Sequence, residues 1–151
     1  MIKVNVEINN KSWRKKIKNP TKYFSIKLKK ISKNFKFLKN KNTTFTILLT
    51  SSSNMKKLNN KFRNINKSTD VLSFPWFSLN KLKLIKKKEI YVGDIAISYQ
   101  IINLRSKKKD FFEEFDKVWV HGFLHLIGYD HVKNNEHYQM NKIEKRILDL
   151  I

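Results

Sequence analysis

The stretch His121-Gly122-Phe123-Leu124-His125-Leu126-Ile127-Gly128-Tyr129-Asp130-His131 carries three histidines at the spacing H-x3-H-x5-H. Preceded by Val118-Trp119-Val120, it reads as the last turns of a buried helix, on which His121 and His125 project from one face about a turn apart. Gly128 supplies the left-handed residue that stops a helix, so the chain can reverse through Tyr129 and Asp130 and bring His131 back to the same point. Three imidazoles then converge and leave a fourth position open. That is the arrangement of a catalytic zinc site, one Zn2+ per chain, in which a bound water has a pKa of about 7. A single histidine on an apolar helix face is ordinarily a core residue, but this chain has only four histidines and three of them fall here.

The same spacing occurs in the long zinc-protease pattern H-E-x-x-H-x-x-G-x-x-H, whose glutamate is the general base for peptide hydrolysis. Gly122 stands at that position. The metal cage is present without the proteolytic base, which argues against a peptidase. The fourth histidine, His137, lies outside the motif and reads as a surface residue of the last helix.

Upstream, Ile2 to Ile8 alternates with period two and is closed by Asn9-Asn10, a strand. From Pro20, with Thr21 as cap, apolar residues recur at roughly helical spacing through Phe35. Thr43 to Thr50 is rich in β-branched residues and reads as a buried strand. Ser52 or Ser53 caps a helix over residues 54–63 that ends at Arg63, one of only four arginines. Thr69 to Phe74 is a strand stopped by Pro75, and residues 76–89 form a lysine-bearing loop. Tyr91 to Ile97 is a fourth strand, in which Gly93-Asp94 marks a bulge or a close backbone approach. Ser98 caps a helix to about Lys108, Asp110 opens the histidine helix, and Asn134 or Asn135 opens a last helix to Leu150. The expected order is β, α, β, α, β, β, α, α, α. This predicts a single-domain α+β fold over residues 1–151, with a mixed sheet of about four strands packed against helices. The metal site then lies on a central helix and the turn after it.

The absence of cysteine excludes disulfides and thiolate metal sites. No apolar run reaches transmembrane length and no signal or transit peptide is visible, so the expectation is a cytoplasmic protein with no membrane association. The net charge is +21, and residues 1–69 contribute +18 of it with Glu7 as their only acid. Such a surplus fits a polyanionic partner. It equally fits codons rich in A and T, because lysine outnumbers arginine 29 to 4 and Asn and Ile each occur 17 times.

Leu58-Asn59 followed by Arg63, then Thr69-Asp70-Val71-Leu72-Ser73-Phe74-Pro75, Gly93-Asp94-Ile95 and the histidine motif follow one another in a familiar order. Together they resemble the YbeY family of bacterial ribosomal-RNA maturation endoribonucleases, over almost the whole chain. The histidine motif is highly specific, whereas the N-terminal third matches only in its pattern of strand and helix. The lysine-rich stretch 76–89 and the high total charge depart from the family. The resemblance implies a single-strand-specific, metal-dependent endoribonuclease, with zinc held at His121, His125 and His131. It also implies a role in maturing the 3′ end of small-subunit (16S) ribosomal RNA and in ribosome quality control. The partners would be single-stranded RNA, ribosomal RNA and the small ribosomal subunit.

In that reading Arg63 and His121 are the catalytic residues, Arg63 binding RNA through paired hydrogen bonds to phosphate oxygens. A salt-bridge role is the alternative for Arg63. Asp130 reads as a residue that shapes the turn or orients a ligand, as Gly128 shapes the turn, and no dedicated general base stands out. Two other functions compete: a non-catalytic ribosome-assembly factor braced by metal, and a metallo-hydrolase of another substrate. Three close ligands favour an open site over a structural one.

Overall fold

The computed structural model describes residues 1–130 and 134–151. Its sheet has four strands in the order β1-β2-β4-β3: β1 (Ile2–Ile8), β2 (Asn42–Thr50), β3 (Val71–Pro75) and β4 (Glu89–Ser98). The first three in that order run parallel and β3 pairs antiparallel to β4, which makes the sheet mixed as expected. The helices are α1 (Ser12–Lys16), α2 (Pro20–Ile31), α3 (Ser52–Arg63), α4 (Leu79–Leu84), α5 (Tyr99–Arg105), α6 (Phe111–Leu126) and α7 (Asn134–Leu148).

Alternation within the strands decides which face meets which helix. On one face Thr43, Phe45, Ile47 and Leu49 of β2 and Ile95 and Ile97 of β4 are buried towards α2 and α6. Phe24 meets Trp119 edge to face at 5.5 Å, and Phe45 meets Phe123 at 5.1 Å. On the other face a smaller cluster of Met55, Leu72 and Ala96, with Leu48, Leu58 and Phe74, seats α3.

α6 is the central helix. Asp110 starts it by accepting from the backbone N–H groups of Phe112 at 2.8 Å and Glu113 at 3.1 Å. Its buried Asp116 accepts from Tyr23 Oη at 2.7 Å, Lys27 Nζ at 2.5 Å and Trp119 Nε1 at 2.6 Å. This carboxylate fastens α2 to α6, and its three donors offset the cost of burying the charge.

Several expectations need correction. The stretch 76–89 is not all loop: Ser78 Oγ accepts from Lys81 N, and the buried Leu82 anchors α4 within it. The lysine run hid a short amphipathic turn. α1 was not foreseen either; it is held by Trp13, which is fully buried and donates Nε1–H to Thr50 O at 3.0 Å. The helix from Pro20 ends at Ile31 and continues as two 3₁₀ turns at Ser32–Asn34 and Lys36–Leu38. Its cap is Asn19, not Thr21, because Asn19 Oδ1 reaches Lys22 N with Pro20 at the first position. Likewise Ser51, not Ser52 or Ser53, caps α3.

Both readings of Gly93-Asp94 hold. The β2–β4 register shifts between Thr44 and Thr46, and Gly93 has φ +133° with no room for a Cβ against the Phe74 carbonyl.

Candidate metal centre

The four-residue interval on α6 places His121 and His125 as the sequence requires. Their rings lie 4.8 Å apart between centroids, and His125 Nε2 is 3.2 Å from His121 Nε2. Zinc–nitrogen bonds of about 2.0–2.1 Å in a tetrahedron set their nitrogens about 3.3–3.4 Å apart. The pair is therefore spaced as two ligands of one ion. On the far side of His121, Nδ1 lies 3.0 Å from Glu144 Oε2 of α7, the carboxylate–imidazole arrangement that commonly supports a metal ligand.

The third expected ligand, His131, lies outside the described residues. Among the described residues no three His, Cys, Asp or Glu side chains gather as a metal site. The turn leading towards His131 is described, and it is built as expected. Gly128 has φ +89°, its N–H donates to His125 O at 3.0 Å, and Tyr129 N–H donates to Leu124 O at 3.0 Å. This is a Schellman stop, which satisfies carbonyls at the end of α6. Gly128 has a second duty: a Cβ there would overlap the backbone of Leu79, so the turn rests directly on the start of α4.

The two imidazoles line a cleft of about 440 Å³ with Arg63, Asp70, Val71, Ser73, Pro75 and Asp130. The cleft crosses the edge strand β3, with α6 on one side and the end of α3 on the other. Arg63 thus lines the cleft from the wall opposite the histidines. It is exposed, and among the described residues it forms no salt bridge. Asn64 ends α3 in the left-handed conformation, φ 57°, which fixes where Arg63 leaves the helix. Asp130 is exposed at the mouth of the same cleft. His137 is exposed on α7, as expected.

Two participants were not singled out by sequence reasoning. Asp70 was quoted only as part of a motif, yet it lines the cleft and is gripped by the Arg105 guanidinium, which also approaches Glu114 at 3.6 Å. Burial pushes the Asp70 carboxyl up, but the hydrogen bond and charge of Arg105, with Val71 N–H and the Thr69 hydroxyl, outweigh it and hold it below its ordinary value. Glu144 had a legible signal: it shares the inward stripe of α7 with Met140 and Ile147, where an acid needs a partner. A larger cavity of about 700 Å³ is lined by Met1, Ile2 and residues between Ser32 and Asn40 at the opposite edge of the sheet, and no histidine or carboxylate is among its lining residues.

Residues 7–151 match the family model described as Endoribonuclease YbeY. A Pelagibacter ubique protein named Endoribonuclease YbeY is 42% identical over 153 residues, covering 100% of this chain and 97% of its own length. A Bartonella quintana protein of the same name is 34% identical, with 98% and 92% covered. A solution structure of a Thermotoga maritima protein superposes with a TM-score of 0.61 at 25% identity, covering 99% of this chain and 87% of the other. With the fold, the paired histidines and the motif order in agreement, the chain belongs to the YbeY endoribonuclease family.

Proposed function

We propose that the protein is a zinc-dependent endoribonuclease that cleaves single-stranded RNA. The observation that carries this reading is the convergence of His121 Nε2 and His125 Nε2, 3.2 Å apart, in a cleft that Arg63 also lines. Membership of a family named for endoribonuclease activity supports RNA as the substrate. His121 and His125, with His131 as the third ligand, would hold the ion. When bound, zinc supplies a water acidic enough to deprotonate near neutral pH and a Lewis acid for the phosphate under attack.

The chain's own residues supply position and charge. Arg63 offers a planar pair of N–H donors to two phosphate oxygens and neutralises charge that develops on them. Asp70 lines the same cleft with its carboxylate engaged by Arg105. Glu144 orients His121 from behind. The finer assignment is maturation of the 3′ end of small-subunit ribosomal RNA and ribosome quality control, in the cytoplasm. It rests on the resemblance of the motifs to the family. No helix among the described residues is long and apolar enough to cross a membrane.

The test is incubation of zinc-loaded protein with single-stranded RNA, duplex RNA and an unstructured protein, with and without a chelator. Cleavage of single-stranded RNA alone, lost on chelation and restored by zinc, is the expected result. Cleavage that survives chelation, or proteolysis, refutes the proposal. RNA binding without cleavage would establish the metal-braced assembly factor instead.

A further inference from the structure

We propose that Glu144 is the positioning residue of the metal centre: it holds His121 in the one tautomer that can ligate through Nε2, and thereby makes the C-terminal helix α7 part of the site. The inference rests on the zinc reading above. An ionised carboxylate only accepts hydrogen bonds. With Glu144 Oε2 at 3.0 Å, His121 Nδ1 must therefore be the nitrogen that carries hydrogen. In the neutral ring, the form that binds a metal, the lone pair is then left on Nε2, which is the nitrogen facing His125 Nε2 at 3.2 Å. The opposite tautomer would put a hydrogen between the two nitrogens that have to share an ion.

Glu144 is itself fixed by its surroundings. It sits on the inward face of α7, with Met140 one turn before it (1% exposed) and Ile147 one turn after it (fully buried). Its side chain is 20% exposed. An acid in that stripe loses hydration without gaining from packing, so the position makes physical sense only with a polar partner, and His121 is the partner it meets. The ring is thus braced by Glu144, 23 residues downstream of it and beyond the third expected ligand in the sequence. Imidazole ligands whose second nitrogen donates to a carboxylate are also the more basic and more rigid ones.

The test compares wild type, Glu144→Ala and Glu144→Gln by zinc titration against a competing chromophoric chelator. It also uses ¹⁵N NMR of the histidine rings and melting of the zinc-free proteins. Glu144→Ala should raise the zinc Kd about 10- to 100-fold. In zinc-free wild type His121 should show the Nδ1–H form, and in Glu144→Ala a mixture. Glu144→Gln, whose amide oxygen can accept the same hydrogen bond, should recover most of the affinity. A zinc Kd for Glu144→Ala within twofold of wild type overturns the proposal, as does an Nε2–H tautomer at His121 in the wild type. If Glu144→Ala fails to fold, the wild-type tautomer and the Glu144→Gln affinity still decide. Wild type that binds no zinc would sink the zinc reading and this inference with it, whereas zinc-binding wild type with an unaffected Glu144→Ala sinks only the role of Glu144.

Discussion

Ser73 donates its hydroxyl to the carbonyl oxygen of Gly122 at 3.2 Å, tying the edge strand to the turn of α6 that presents His121. The approach is close because residue 122 has no side chain. A Cβ there would lie 3.0 Å from Ile95 Cγ2 and 3.1 Å from both Ser73 Oγ and Val71 Cγ2. The position that a zinc protease gives to its general base is, in this chain, pressed against the sheet.

Gly122→Glu therefore cannot install a protease. It should lower the unfolding free energy by roughly 3 kcal/mol or more through overpacking and a buried charge. Gly122→Ala should be nearly neutral, because a gain in helix propensity of about 1 kcal/mol is offset by the tight contacts. Urea unfolding of both variants, with a peptide-cleavage assay, checks this; a Gly122→Glu protein of wild-type stability would show that the packing can yield.

Arg63→Lys separates catalysis from folding. The variant should fold, keep its zinc and cleave RNA about a hundredfold more slowly, a loss of roughly 3 kcal/mol of transition-state stabilisation, because lysine keeps the charge but not the two-pronged donor. Zinc content and melting temperature are the controls. Wild-type cleavage in a zinc-loaded Arg63→Lys protein removes Arg63 from the mechanism.

Asp70 gives stability a pH dependence of definite sign. Its folded-state pKa is held below the ordinary 3.8, so its stabilising contribution is fully present above pH about 4 and is lost as the pH falls through the lower folded value. Asp70→Asn should therefore be less stable than wild type at pH 7, by about 1 kcal/mol since Arg105 is half exposed. The two proteins should converge in acid below pH 4. Denaturant titrations across pH 2–7 that ran parallel would contradict this.

The lysine surplus predicts a steep salt dependence if it contacts RNA. Each neutralised phosphate of a single strand contributes a slope of about −0.7 to log K against log salt. Replacing Lys29, Lys30 and Lys33 together should flatten the slope by about 2 if the end of α2 and the 3₁₀ turn after it lie on the RNA path. An unchanged slope would assign their charge to codon composition.

What the sequence disclosed depended on how local the determinant was. The i, i+4 histidines, Gly128 and Asp110 act within a turn or two of themselves, and each is where its spacing placed it. β1 and β2 are legible because alternation is a local pattern. α4 was concealed because one buried residue, Leu82, sits among lysines, and α1 because a five-residue helix is too short to show a period. Glu144 and Arg105 meet their partners across 23 and 35 residues, and no spacing rule encodes such meetings. Arg63 lay between these cases: its scarcity marked it, but only the folded chain shows that it lines the same cleft as His121 and His125.

The strand order has a consequence for how the chain comes into being. β4 lies between β2 and β3, so both strands emerge from the ribosome before the one that joins them. Until residues 89–98 have been synthesised, β3 has no neighbour and β2 only one. The aromatic face that buries this sheet arrives later still, on α6. The first eighty-odd residues, with most of the positive charge, must therefore wait as an unclosed polycation beside a polyanionic ribosome. Their long-range parallel pairing then makes closure slow relative to a helical domain of equal length.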